Sequence, residues 1–541
     1  MSKLLKSAGA LGVATLTSRI LGLVREQVYA YFMGTTPVAG AFKLAYQIPN
    51  LFRRLLGEGA LTAAFVPIFK DREANAGPAE MWRAANAVFS GLTIVAAAIA
   101  AAAMLGVTAV LWLAQPTVLA DGSAAFPLLT LKPDTALMLR LLRLMFPYLV
   151  LVCLAALCMG ILNARGHFFV PALGAAMLNV VMIASVLLLA PRFGETLEQQ
   201  IFALGLGVLA AGFVQFVFQL PLLWKEGFRF RWVNPFGNET VREVVRKMIP
   251  GIVGVAAFQL NVVIIQSLSF WYDGTIVAAF DTAVRLMEFP QGVVGISLAT
   301  YLLTTLSGLA ARKDYAEFRT ALLDGLGYLV FVDLFAATLL FVLAEPIVRL
   351  LFQYGTFDRI STRQVASAVV CLAPGLVAFS GVNILARAFY ALGDTKTPMR
   401  ISVACLVINL LISVWVVGHF RQAGLAAANS ATSFINLWLL SRALRRKLPR
   451  LEFGSLRGVV IPAAGAAGAA GVVAWMAHRL WEINLGNATV GMRLGAVFGP
   501  MCLATLVYFG LAMWLKLPQA HEVANLVRRR IRKPPNDPTR N

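Results

Sequence analysis

Residues 49–67 read PNLFRRLLGEGALTAAFVP, and residues 280–292 read FDTAVRLMEFPQG. Both stretches lie in regions apolar enough to be membrane spans. Yet the first carries Arg53, Arg54 and Glu58, and the second carries Asp281, Arg285 and Glu288. One ionised side chain at mid-bilayer costs about 2.5–3.5 kcal/mol on insertion scales. Charges kept at that cost need partners or a wet cavity.

The surrounding chain leaves little doubt that the solvent is lipid. It has 541 residues, 59% hydrophobic and only 13% charged, with a mean hydropathy of +0.75. Soluble domains carry about 25% charged residues. Apolar runs long enough to cross a hydrocarbon core predict about fourteen helical spans. They fall at 8–33, 38–69, 84–114, 136–163, 170–190, 198–224, 243–272, 276–310, 316–344, 364–391, 399–418, 422–442, 457–479 and 491–515. The fold class is therefore an all-α polytopic membrane protein.

The net charge of +21 is topology signal more than a nucleic-acid footprint. With a cytoplasmic N-terminus, roughly 30 of the 47 Lys and Arg fall in cytoplasmic loops and tails. They include Lys225–Lys247, Arg442–Arg457 and the tail residues Arg528, Arg529, Arg530, Arg532 and Lys533. Such segments also attract anionic membrane lipid. Lys3 and Lys6 before an apolar run imitate a signal peptide, but the run is long and contains Arg19, Arg25 and Glu26. It is expected to be a retained first span. Cys153, Cys158, Cys371, Cys405 and Cys502 all lie in apolar helices and read as small core residues.

The basic, aromatic stretch 225–242 divides the first twelve spans into two groups of six, 1–224 and 243–442. The groups show faint similarity. VAGAF (38–42) followed by ALTAAFVP (60–67) echoes VAAF (277–280) followed by SLATYLLT (297–304). Parallel repeats of this kind predict two lobes with a site between them. The last two spans (within 443–515) and the basic tail (516–541) lie outside the repeat. Span thirteen holds PAAGAAGAAG (462–471), which predicts close helix packing, with a lipid-facing groove as the sharper alternative.

Three clusters hold most of the intramembrane charge. In TSRILGLVREQ (17–27), Arg19, Gly22 and Glu26 share a helical face, while Arg25 is rotated about 100° from Glu26. In span two, Arg54 and Glu58 are spaced to pair, leaving Arg53 without an evident local partner. In span eight, Arg285 and Glu288 are spaced to pair. Lys43 adds a further cation. Ion pairs that only tie helices together explain any one of these, but not a surplus of cations. Arginine's planar fork suits phosphate or carboxylate, so the expected substrate is an anion. Pro49, Gly57, Gly59 and Pro67 break span two, and Pro290, Gly292 and Gly295 break span eight. Helices broken at corresponding places in both halves point to a transport site. No Walker motif, metal-ligand spacing or nucleophile–base pair is present. His167, His419, His478 and His521 are scattered over loops, membrane boundaries and the tail. No cofactor is expected.

SRILGLVRE (18–26), PNLFRRLLGEGALTAAFVP (49–67), RLMEFPQGVVG (285–295), LFQYGTF (351–357) and DTKTP (394–398) together resemble the MurJ/MviN family of lipid II flippases. That family lies within the multidrug/oligosaccharidyl-lipid/polysaccharide exporter superfamily. The resemblance implies two six-helix lobes around a V-shaped cavity, and spans thirteen and fourteen as a groove for the lipid tail. It implies an inner-membrane transporter with both termini cytoplasmic. The implied substrate is lipid II, the undecaprenyl-pyrophosphate-linked disaccharide-pentapeptide, and cell-wall synthesis proteins are possible partners. It places the substrate-binding arginines at Arg19, Arg25, Arg53 and Arg285. Glu26, Lys43, Arg54, Glu58 and Glu288 serve as gating or charge partners. Two positions depart from the family pattern. Gly40 stands where Asp is common, and Thr304 where Pro is common, which predicts a softer kink in span eight. Three alternatives stay open: a flippase for another polyprenyl-pyrophosphate glycan, a cation-coupled exporter, and a non-transporting scaffold. Coupling through the membrane potential, or through protons on Glu26, Glu58 or Glu288, is also open.

Overall fold

The computed structural model describes residues 2–57, 60–115 and 129–532, so Glu58, Gly59 and Lys533 lie outside the described residues. Every element in these residues is helical. Among the described residues helix covers most of each expected span, but the breaks differ from those drawn. Ala60–Leu113 is interrupted by a kink at Gly77, where φ is +83°, and Lys396–Lys447 by one at Arg421, where φ is +51°. These are the turns between spans two and three and between spans eleven and twelve. By length and apolarity, seven helices among the described residues can cross a membrane, or nine if two bent pairs each count as one span. The expectation of fourteen is not reached on that test. The helices that carry the charge clusters and breaks are among those that fail it.

Packing divides the chain into two units, one comprising Met1–Ala278 with Tyr354–Phe357 and the other comprising the rest. In the first, Tyr29, Phe42, Met145, Tyr148 and Val208 pack in one core, and Phe65, Phe69, Phe89, Leu157 and Phe228 in another. The Tyr354–Phe357 segment belongs here because the Thr356 amide donates to the Tyr31 carbonyl at 2.9 Å. Gly355, at φ +59°, lies so close that a Cβ would sit 2.5 Å from that same oxygen. The family-like LFQYGTF stretch is thus a docking turn.

In the second unit, Leu302, Phe318, Leu322, Leu385 and Phe389 form one core. The last two spans, Arg457–Asn484 and Val490–Trp514, pack together and onto Tyr315–Val342. The seam of span thirteen is made by alanines: Ala463, Ala466, Ala467, Ala470 and Ala474 are buried. Of its three spaced glycines only Gly471 is close-packed, 2.6 Å from Thr338 if given a Cβ, whereas Gly465 and Gly468 face open space. None of the five cysteines is in a disulfide, and Cys502 is exposed rather than in a core. His478, near the end of its helix, is buried, its Nδ1 3.0 Å from the Ala496 carbonyl.

Three loops expected on the cytoplasmic side meet in the first unit. Glu226 accepts from Arg165 Nε at 2.8 Å and lies 2.7 Å from His167 Nε2, and Arg165 also pairs with Glu73. Asn86 donates to the Arg229 carbonyl and accepts from the Arg231 amide. Hydrogen bonds from Arg165 and then His167 hold the Glu226 carboxyl below the usual carboxylate range. A carboxyl held low in the folded state adds stability above its unfolded pKa, and that stability disappears as pH falls through the folded value. Apparent Tm measured against pH should therefore decline below about pH 4.3 in the wild type. Glu226→Gln should be less stable at pH 7 and should show a shallower acid decline. Parallel curves would show that the clasp contributes nothing.

Candidate functional site

The charged residues of the first helix, Ser2–Met33, divide between two surroundings. Asn179 donates to the Ser18 carbonyl at 3.2 Å and lies beside Gly22, so this face packs on the Phe169–Ala184 helix. Arg19 is exposed, whereas Glu26 is buried at 9%. Arg25 does pair with Glu26 despite the rotation between them: Nη2 lies 2.5 Å from Oε1. The long guanidinium arm spans the angle that the backbone sets. The Arg25 guanidinium also lies 5.5 Å from the centre of the Tyr29 ring, a cation–π distance. Tyr29 contacts Phe42 edge-on, and Phe42 stacks on Tyr46, so the arginine rests on an aromatic row. Arg25 Nε is buried with no hydrogen-bond partner among the described residues.

Span two breaks between Pro49 and Gly57 as expected, but Pro67 sits inside the following helix, and Gly59 lies outside the described residues. The helix Pro37–Phe52 gives way to a π-helical turn, Arg53–Gly57, before Ala60. A π turn is wider than an α turn and is concentrated at functional sites. It presents both arginines of the quoted stretch. Arg53 does have a local partner, Asn50, whose Oδ1 accepts from Nε at 2.7 Å. The expectation of none fails because a neutral amide three residues back accepts from the guanidinium as a carboxylate would. Asn50 orients the guanidinium without cancelling its charge. Arg54 donates to Gln259 Oε1 at 3.3 Å on the Glu239–Tyr272 helix, and its expected partner Glu58 lies outside the described residues. Lys43 donates to the Ala278 carbonyl at 3.2 Å.

Span eight repeats this construction in the second unit. Its first helix, Gly274–Pro290, ends at a proline, and the π turn Gln291–Ile296 follows, then Ser297–Ala311. Arg285 Nη1 pairs with Glu288 Oε2 at 3.1 Å, one turn before the break, and both are exposed. Thr304 produces no kink. Its hydroxyl donates to the Tyr301 carbonyl within an unbroken helix. A third π turn, Ser185–Leu189, carries no charge.

Gly40 has a steric reason. A Cβ there would lie 2.0 Å from the Gly274 carbonyl oxygen, and one on Gly274 would lie 2.9 Å from the Pro37 carbonyl oxygen. Two backbones touch at this seam, and an aspartate has no room. Asp333 escaped the sequence reading altogether. It is the acidic residue in the apolar second half of Tyr315–Val342, fully buried, and a lone acid has no spacing to notice. Among the described residues no cluster of three or more His, Cys, Asp or Glu gathers to hold a metal.

A sequence profile of the family described as "Lipid II flippase MurJ" matches residues 29–492. A lipid II flippase MurJ from Burkholderia cenocepacia is 32% identical over 512 residues, covering 93% of this chain and 95% of that one. A probable lipid II flippase MurJ from Buchnera aphidicola subsp. Acyrthosiphon pisum is 31% identical over 456 residues, covering 83% and 85%. A solved lipid II flippase MurJ, in an inward closed conformation, aligns with a TM-score of 0.74 at 19% identity, covering 96% and 99%. That last likeness bears on the fold.

The glycine geometry predicts opposite outcomes for two similar substitutions. Gly40→Ala forces a clash with backbone and should destabilise by about 1–3 kcal/mol, lowering apparent Tm and speeding amide exchange around Gly274. Gly468→Ala enters open space and should change stability by less than about 1 kcal/mol, in the stabilising direction that helix propensity favours. Equal effects would remove the seam from the account.

Proposed function

The chain belongs to the MurJ family of lipid II flippases, and we propose that it moves lipid II from the cytoplasmic to the periplasmic leaflet of the inner membrane. It is a transporter, not an enzyme. The observation that carries this reading is the pair of π-broken spans with arginines at or one turn before the break, Arg53 in span two and Arg285 in span eight. Arg19, Arg25, Arg53 and Arg285 receive the pyrophosphate, whose oxygens match the guanidinium fork. Asn50, Glu26, Tyr29 and Glu288 hold three of them in fixed rotamers. Preorganised donors of this kind limit the ordering that binding requires.

The cycle follows from charge. Without substrate, the cations repel one another, and the pyrophosphate removes that repulsion and favours closure. Glu26, Glu58 and Glu288 compete for the arginines on release, and Lys43 and Arg54 complete the local balance. The polyprenyl chain stays in lipid while the polar head crosses by alternating access. The Lys and Arg bias and the meeting of three loops at Glu226 support a cytoplasmic placement for that end and for both termini. The lobes of this cycle are residues 1–224 and 243–442, joined by the basic linker 225–242. Residues 443–515 are placed to accept the lipid tail.

Arg53→Ala should abolish translocation of labelled lipid II in vesicles, with Arg53→Lys intermediate because a point charge replaces a fork. Inserted protein is quantified in the same vesicles. Near-normal flipping by an abundant Arg53→Ala variant would overturn the assignment.

A further inference from the structure

Asp333 sits about two-thirds of the way along the Tyr315–Val342 helix, with no exposed surface. Neither of its carboxyl oxygens has a hydrogen-bond partner among the described residues, nor does the hydroxyl of Ser380. Ser380, on the Gly375–Ala391 helix, lies beside Asp333 and is the one side chain that acts on its carboxyl. Ser380 in turn abuts the π turn of span eight: a Cβ on Gly295 would fall 2.6 Å from its Oγ. The carboxyl therefore lies directly behind the broken segment that continues from Arg285 and Glu288. All of these residues belong to one packed unit.

The charged groups on the surrounding helices lie well along them. The π turn and Ser297–Ala311 carry none. Gly375–Ala391 has Arg387, seven residues past Ser380 and so about 10 Å along the helix. Asp324, on Asp333's own helix, is about 14 Å away along the axis. In Arg457–Asn484 the charges sit at the ends, as Arg457, His478, Arg479 and Glu482. Arg359 and Arg363 open the Arg359–Leu372 helix, whose Cys371 is a free thiol, and Glu345 and Arg349 follow the end of Asp333's helix. His521 and Glu522 belong to the Pro518–Arg532 helix, which reaches this unit through Gln519 beside Gly327. The Tyr508 hydroxyl is committed to the Phe331 carbonyl at 2.5 Å.

An ionised Asp333 would be an unpaired buried charge, an arrangement that folded proteins avoid. The neutral acid needs only one acceptor, and Ser380 Oγ is beside it. We propose that Asp333 is a proton-binding site that couples transport to the pH gradient. It holds its proton in this conformation. When the π turn of span eight moves and water enters, the O–H bond breaks, the proton passes to water and the charge stays on the carboxylate. Gly295 ties the two events together, because no space separates the turn from Ser380. The assignment rests on the transport reading above and supplies its coupling group.

Two measurements on the full chain test it separately. Infrared difference spectra of the detergent-solubilised protein across pH should contain a buried carboxylic-acid band that is lost in Asp333→Asn and shifted in Ser380→Ala. In vesicles, a pH gradient should change wild-type lipid II translocation by up to about tenfold per unit, the limit for one coupled proton. In Asp333→Asn the ratio should fall to about one, with Asp333→Glu restoring most of the response. An unchanged infrared band, or an Asp333→Asn variant with the wild-type gradient response, overturns the proposal. Should the wild type move no lipid II at all, the transport reading falls, and the infrared band still decides whether Asp333 holds a proton.

Discussion

A guanidinium stays charged at any pH a cell reaches, so within a span it must find partners or water. The rest of this structure is organised around that requirement. Arg25 is met by Glu26 and the face of Tyr29, Arg53 by Asn50, and Arg285 by Glu288. These partners are close in sequence, from one to four residues away. Partners this close orient a side chain within its own span, whereas Arg54 and Lys43 reach distant segments at Gln259 and Ala278. A cation held this way keeps its charge while its side chain is oriented.

The backbone serves the same end. In spans two and eight a proline is followed by a π turn, at Arg53–Gly57 and Gln291–Ile296. The added width changes the direction of the helix and brings polar backbone out of the regular ladder. One glycine seam lies within the second break, and another lies about 20 Å along the helix from the first. Gly40 meets Gly274 backbone to backbone, and Gly295 abuts Ser380. These contacts leave no slack, so a shift in the turn must move its neighbour.

Much of this was legible in the residues. Apolar run length predicted the helices, Pro and Gly predicted both breaks, and the three-residue spacing of Arg285 and Glu288 predicted their pair. Other features were hidden for physical reasons. Asn50 is uncharged, so a search for opposite charges passes over it. The rotation between Arg25 and Glu26 describes backbone direction, not the reach of a long side chain. Gly40 could be seen as a departure from the family pattern, but the Gly274 carbonyl that excludes a side chain is more than 230 residues away. Asp333 had no spacing partner at all, and only burial made it visible.

We propose that these arginines are kept in the membrane to bind a pyrophosphate. The most direct measurement is equilibrium binding of the purified chain to lipid II and to the same lipid-linked glycopeptide with a neutral group replacing the pyrophosphate. The account predicts at least about tenfold weaker binding of the neutral analogue, the equivalent of about 1.4 kcal/mol, with the difference shrinking as salt is raised. Equal affinities for the two would contradict it.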